Sequence, residues 1–117
     1  MKISTIKELL EAEVVCCEEG LARHVYSACG SDMMSDVLAY VKDQAVLITG
    51  LVNSQVIRTA EMMDMHCIVF VRSKIPTAEM LELARESGIV ILTTSKRMYE
   101  ACGKLYANGL GANGTKI

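Results

Sequence analysis

From Ala45 the chain reads Ala45-Val46-Leu47-Ile48-Thr49-Gly50, a continuous apolar run closed by glycine. Such a run predicts a strand buried on both faces. The same logic returns at Cys67–Arg72 and at Ile89–Thr93. Between these runs the apolar period changes to that of a helix. Val56, Ala60 and Met63 mark the inward face of a helix near Ser54–Asp64, and Ala78, Leu81 and Ala84 mark that of Thr77–Ser87. Pro76 suits a helix start, and Gly88 suits the residue that ends one. A last helix is predicted near Lys96–Tyr106.

The N-terminal third is less regular. Ser4–Ala12 reads as a short helix with Ser4 or Thr5 as N-cap and Leu9 and Leu10 on its buried side. Glu13–Cys17 reads as a strand, Glu19-Gly20 as a turn, and His24–Cys29 as a weakly alternating second strand. Ser31 offers an N-cap for a helix whose Met34, Val37, Leu38 and Val41 share one face. Strands alternating with helices over short loops imply an α/β fold. The expectation is a three-layer α/β/α sandwich around a central sheet of about five strands. That sheet is mostly parallel, and the N-terminal strands leave a mixed sheet open. Residues 1–110 form one domain, and 111–117 are expected to be a flexible tail.

Composition narrows the functions. Net charge is −2, there is no Trp, and Phe occurs once. No basic stripe is present to neutralise phosphates, so nucleic-acid binding is set aside. The longest apolar run, Cys67–Val71, is too short to span a bilayer, and the start of the chain lacks the apolar region of a secretory signal. A cytoplasmic protein without membrane contact is the expectation. An apolar share of 51% is high for 117 residues and hints at a homodimer. Met33 and Met62 sit off the inward helix faces and are candidate interface residues.

Catalytic and metal signatures are weak. Five cysteines occur without a C-x-x-C pair, and adjacent Cys16 and Cys17 on a strand would point to opposite faces. They read as reduced, packed thiols, with no metal and no cofactor expected. His24 and His66 lack a nucleophile partner in sequence, and Asp32 with Asp36 reads as a cap and an exposed helix face. A non-catalytic protein is therefore expected.

Binding chemistry is more promising. In open α/β sheets ligands sit outside the carboxyl ends of the strands. That rim carries Thr49, Gly50, Asn53 and Ser54, with Arg58 one turn into a helix, then Arg72, Ser73 and Lys74, then Thr93, Thr94, Ser95, Lys96 and Arg97. Asp32 is added from the preceding helix start. Hydroxyls, bases and free helix-start N–H groups together suit an anion such as a phosphate. Taken singly, each residue is an ordinary cap or a solvated charge. The run Gly50-Leu51-Val52-Asn53-Ser54 is neither a P-loop nor a dinucleotide fingerprint.

Several stretches resemble the DRTGG domain family. They are Ser31-Asp32-Met33-Met34-Ser35-Asp36-Val37-Leu38, Leu47-Ile48-Thr49-Gly50-Leu51-Val52 and Val56-Ile57-Arg58-Thr59-Ala60-Glu61-Met62-Met63-Asp64. Ile68–Pro76 and Tyr99–Gly103 extend the likeness, which runs from Thr5 to Leu110. The resemblance implies an α/β fold similar to the N-terminal domain of HPr kinase/phosphorylase and of cell-wall Mur ligases. Such domains serve as accessory modules, for instance beside CBS domains in regulated pyrophosphatases, where they help form dimers. Small stand-alone members have no established reaction, and some are encoded near iron-only hydrogenase-like proteins and sensor kinases. This chain departs from the pattern: the literal DRTGG string is absent, with Gly30-Ser31-Asp32 at most a remnant. It also has Arg72-Ser73-Lys74 where Arg-Gly-Lys is expected, and a Gly there would admit positive φ.

Two readings follow. The first is a homodimeric regulatory domain that senses a nucleotide or other phosphorylated metabolite on the rim. The second is an interaction module that docks on a kinase or iron–sulfur partner, with the rim merely solvated.

Overall fold

A computed structural model describes residues 1–41 and 44–111, with the side chain of Tyr40 excepted. Its elements are helix α1 (Ile3–Leu9), strand β1 (Glu13–Cys16), a 3-10 turn (Glu18–Gly20), β2 (Ser27–Gly30), α2 (Met34–Tyr40), β3 (Ala45–Thr49), α3 (Ser54–Met62), β4 (Cys67–Phe70), α4 (Ala78–Ser87), β5 (Val90–Thr93) and α5 (Met98–Ala107). The five strands form one sheet in the order β1-β5-β4-β3-β2. β2 to β5 run parallel, and β1 lies antiparallel on the outside of β5, so the sheet is mixed at one edge.

Strand parity divides the core into two layers. Val46 and Ile48 of β3 face one way and pack with Ile3 and Ile6 of α1, with Leu10 just after it, and with Ala101 and Leu105 of α5. Ala45 and Leu47 face the other way, onto Met34 and Val37 of α2, Val56 and Ala60 of α3, and Met80 and Ala84 of α4. A residue period of two makes this alternation obligatory, and helices on both faces explain why β3, β4 and β5 are buried throughout. Truncating a side chain such as fully buried Leu47 to Ala would cost about 2–5 kcal/mol.

Several boundaries differ from the sequence expectation. Lys2, not Ser4 or Thr5, precedes α1, and its side chain makes no cap; of the two leucines, Leu10 is buried and Leu9 half-buried. Ser31 does not cap α2. Its hydroxyl accepts from the Met33 N–H at 2.9 Å in a local turn, and the helix begins only at Met34. Leu38 is exposed because α2 lies at the end of its layer and buries only the Met34–Val37 stripe. In α4 the buried residues are Met80 and Ala84, whereas Ala78 is exposed. Gly88 does close α4 in the left-handed conformation, at φ 69°.

Cys17 departs most. It lies just past β1 with φ 60°, so the chain turns and the Cys16 and Cys17 sulfurs lie 3.4 Å apart instead of on opposite faces. The C-terminal segment is also more engaged than its glycines suggest. Leu110 is buried in the α1/α5 layer, and the Gly111 carbonyl accepts from the Ala28 N–H at 3.1 Å. The rest of the expected tail, 112–117, lies outside the described residues. Among the described residues no helix is long and apolar enough to cross a membrane.

Candidate functional site

The parallel register sets the tips of β2, β3, β4 and β5 side by side. What each tip carries follows from how it is held. Asp32, just beyond β2, reaches across to β3: its Oδ1 accepts from Thr49 Oγ1 at 2.9 Å and from the Gly50 N–H at 2.7 Å. Thr49 Oγ1 in turn accepts from the Leu51 N–H at 3.1 Å. Thr49 is fully buried, so this pair braces the β2–β3 edge of the rim from inside.

The next join, β3 to β4, carries Arg72. Its side chain lies across Gly50, where any Cβ would collide with the Arg72 Nη2. Glycine at position 50 thus lets the Arg72 guanidinium lie close over the strand tip, and its backbone angle is not the reason for it. Arg72 and Ser73 are both left-handed, with φ 58° and 57°. Their N–H groups donate to the Lys96 and Thr94 carbonyls at 2.8 and 2.9 Å, which fixes the β4–α4 loop onto the β5–α5 loop. The Gly expected at position 73 is replaced by Ser, yet the left-handed backbone that a Gly would ease is kept.

Ser73 also forms one wall of a cleft of about 250 Å³, with Thr93, Thr94, Ser95, Ile75, Glu11 and Glu13 around it. This part of the rim is polar and carries two carboxylates, Glu11 just before β1 and Glu13 at its start. Thr94 is committed internally: its hydroxyl donates to the Leu10 carbonyl at 2.7 Å and accepts from the Lys96 N–H at 3.2 Å. Lys96 is also held, with its Nζ 3.8 Å from Glu11 and 3.6 Å from Glu100.

The remaining predicted residues spread outward. Asn53 caps α3 by accepting from the Gln55 N–H, and Ser54 donates to Glu79 of α4 at 2.6 Å. Arg58 is exposed on α3, between buried Ile57 and Thr59. At 100° per residue it points away from the sheet, whereas Arg72 lies across the β3 tip. Lys74 is exposed one residue beyond Ser73. Met33 and Met62 are 60% and 73% exposed, but one precedes α2 at the rim and the other ends α3 toward the opposite end of the strands, so they do not form a single patch. His24 is exposed and stacks on Tyr26, while His66 is half-buried beside Glu61, Asp64 and Glu86.

The rim therefore resolves into a cationic sector at Gly50 and Arg72 and a hydroxyl-and-carboxylate sector between β4 and β5. Sequence reasoning found the hydroxyls of the second sector but missed its carboxylates, since Glu11 and Glu13 reach it only through the antiparallel docking of β1 on β5. It also missed an apolar hollow of about 650 Å³ along α5, where Tyr99 and Tyr106 are 92% and 73% exposed beside Cys102 and Gly103. The i, i+4, i+7 spacing of Tyr99, Gly103 and Tyr106 was the available signal. Among the described residues no cluster of three or more His, Cys, Asp or Glu side chains could hold a metal.

The DRTGG domain model matches residues 5–107 of this sequence. No curated protein matches it in sequence. Among solved structures, the CBS and DRTGG domains of the regulatory region of Clostridium perfringens pyrophosphatase, complexed with the activator diadenosine tetraphosphate, superpose with a TM-score of 0.72 at 18% identity. The match covers 89% of this chain and 45% of that one, so this chain spans less than half the length of that neighbour.

Proposed function

The chain belongs to the DRTGG domain family, and on that premise we propose that it is a non-catalytic regulatory module that binds a nucleotide or another phosphorylated small molecule at the rim. The observation that carries this reading is the placement of Arg72 across Gly50 next to the polar cleft. A guanidinium over an open strand tip takes a phosphoryl group in two-pronged fashion. Glu11, Glu13 and the hydroxyls of Ser73 and Thr93 suit ribose hydroxyls, a role carboxylates fill in other α/β nucleotide sites. Two carboxylates disfavour a phosphate in the cleft itself, so the ligand lies with its phosphate toward Arg72. The regulatory setting and bound nucleotide of the clostridial neighbour support this direction. Asp32 and Thr94 act as braces, and no reaction is assigned to them.

The test is a thermal-shift screen with ATP, ADP, diadenosine tetraphosphate and inorganic phosphate. A ligand at 100 times its Kd stabilises the native state by about 2.7 kcal/mol. Wild-type protein and Arg58→Ala should shift, and Arg72→Ala should not. Equal shifts in wild type and Arg72→Ala would remove the proposed site.

A second reading is favoured by the exposed tyrosine face of α5: a cytoplasmic homodimer, or docking on a protein partner, through Tyr99 and Tyr106. Sedimentation of wild type against Tyr99→Glu tests it. A dimer that becomes monomeric supports it, and a monomer in both cases refutes the dimer.

A further inference from the structure

At the edge of the sheet opposite the rim, β1 ends in two adjacent cysteines whose geometry is not that of a regular strand. The β1–β5 register shifts between Val14 and Cys16, and Cys17 follows in a left-handed conformation with φ 60° and ψ 48°. L-residues other than Gly, Asn and Asp adopt this conformation at an energetic cost. Its effect is to turn the second thiol onto the side of the first, with Sγ–Sγ 3.4 Å. Both sulfurs lie against the middle of α4: Cys16 Sγ is 3.8 Å from the Leu81 carbonyl and Cys17 Sγ 3.7 Å from that of Ala84. Cys16 is buried and Cys17 is half-buried, so solvent reaches the pair through Cys17.

We propose that Cys16 and Cys17 form a two-thiol chelating site for a soft thiophilic centre, of which trivalent arsenicals are the chemical class. A divalent metal such as zinc asks for four ligands, and no third His, Cys, Asp or Glu joins the pair among the described residues. Burial further opposes the Cys16 thiolate that such a metal would need, pushing that thiol up to about 12. A trivalent organoarsenical asks for neither. The hydrated form R–As(OH)2 condenses with two neutral thiols to R–As(S–Cys)2 and two waters. Two As–O and two S–H bonds break, two As–S and two O–H bonds form, and neither oxidation state nor net charge changes. A neutral product suits a site half-closed by packing against α4. The site lies away from Arg72 and the cleft, so it stands independently of the nucleotide reading.

The probe is phenylarsine oxide, added at one equivalent to the reduced full-length chain under anaerobic conditions and followed by native mass spectrometry. The expected result is one adduct per chain with loss of two free thiols, displaced by ethanedithiol and not by the same concentration of 2-mercaptoethanol. Cys17→Ser and Cys17→Ala should both lose the adduct while circular dichroism shows an intact fold, and Cys102→Ser should keep it. Absence of an adduct in wild type overturns the proposal. So does an adduct that persists in both Cys17 variants, or one that disappears in Cys102→Ser and thereby moves to Cys102, which lies close enough to Cys29 to act on it electrostatically.

Discussion

Ser73 sits where its neighbours dictate a backbone that its own side chain resists. Its φ of 57° follows another left-handed residue, and its N–H is tied to the Thr94 carbonyl at 2.9 Å, so the loop cannot relax without losing that bond. For an L-residue the left-handed region costs about 1–2 kcal/mol. Replacing Ser73 by Gly removes this strain but loosens the unfolded chain, which costs about 0.5–1 kcal/mol. The net expectation for Ser73→Gly is a gain of about 0.5–1 kcal/mol, or roughly 2–5 °C in Tm for a domain of this size. Gly88 supplies the mirror experiment. It has φ 69°, and a Cβ there would meet no atom within 4 Å, so Gly88→Ala introduces the same strain with no steric clash. It should lose about as much as Ser73→Gly gains. Urea titrations of the two variants read both quantities on one scale. A destabilised Ser73→Gly beside a neutral Gly88→Ala would refute the assignment of strain to these two backbones.

Other predictions concern the brace, the close approach and the thiols. Asp32→Ala strips two hydrogen bonds from the β3 tip and leaves the buried Thr49 hydroxyl without its acceptor, which should cost about 2–3 kcal/mol in urea unfolding; a loss below ~0.5 kcal/mol contradicts the bracing role. Gly50→Ala pushes aside only the flexible end of Arg72, so stability should hold while nucleotide-induced thermal shifts fall; unchanged shifts would show that the close approach is irrelevant. Burial raises the Cys16 and Cys67 thiols above the usual range, so both stay protonated in the folded chain at a pH where the unfolded chain ionises. The native state then binds more protons than the unfolded one, and stability falls as pH rises above about 9. Cys67→Ala should flatten this decline relative to wild type, and identical profiles would argue against it.

Much of the fold was legible because the physics was local. The unbroken runs at Ala45, Cys67 and Ile89 could be satisfied only by strands covered on both faces, and Gly88 announced the end of α4. What escaped was set by distant partners. Nothing near Lys96 in sequence points to Glu11, which closes on it only after β1 docks on β5. Cys17 carries no residue-level sign of a left-handed turn, so the strand rule wrongly separated its sulfur from that of Cys16. Arg58 is a different case: its helical phase, opposite Val56 and Ala60, already placed it outward, and only its nearness to the helix start suggested the rim. The candidate site was thus legible as a sheet edge, while the division of that edge into an Arg72 sector and a carboxylate sector required the three-dimensional pairing.

The central claim is best tested by an amide-resolved NMR titration of the 15N-labelled chain with the nucleotide that gives the largest thermal shift. Saturable shifts are expected at Gly50, Leu51, Arg72, Ser73, Thr94 and Ser95, abolished by Arg72→Ala. Shifts confined to α5 around Tyr99 and Tyr106, or surviving unchanged in Arg72→Ala, would contradict it.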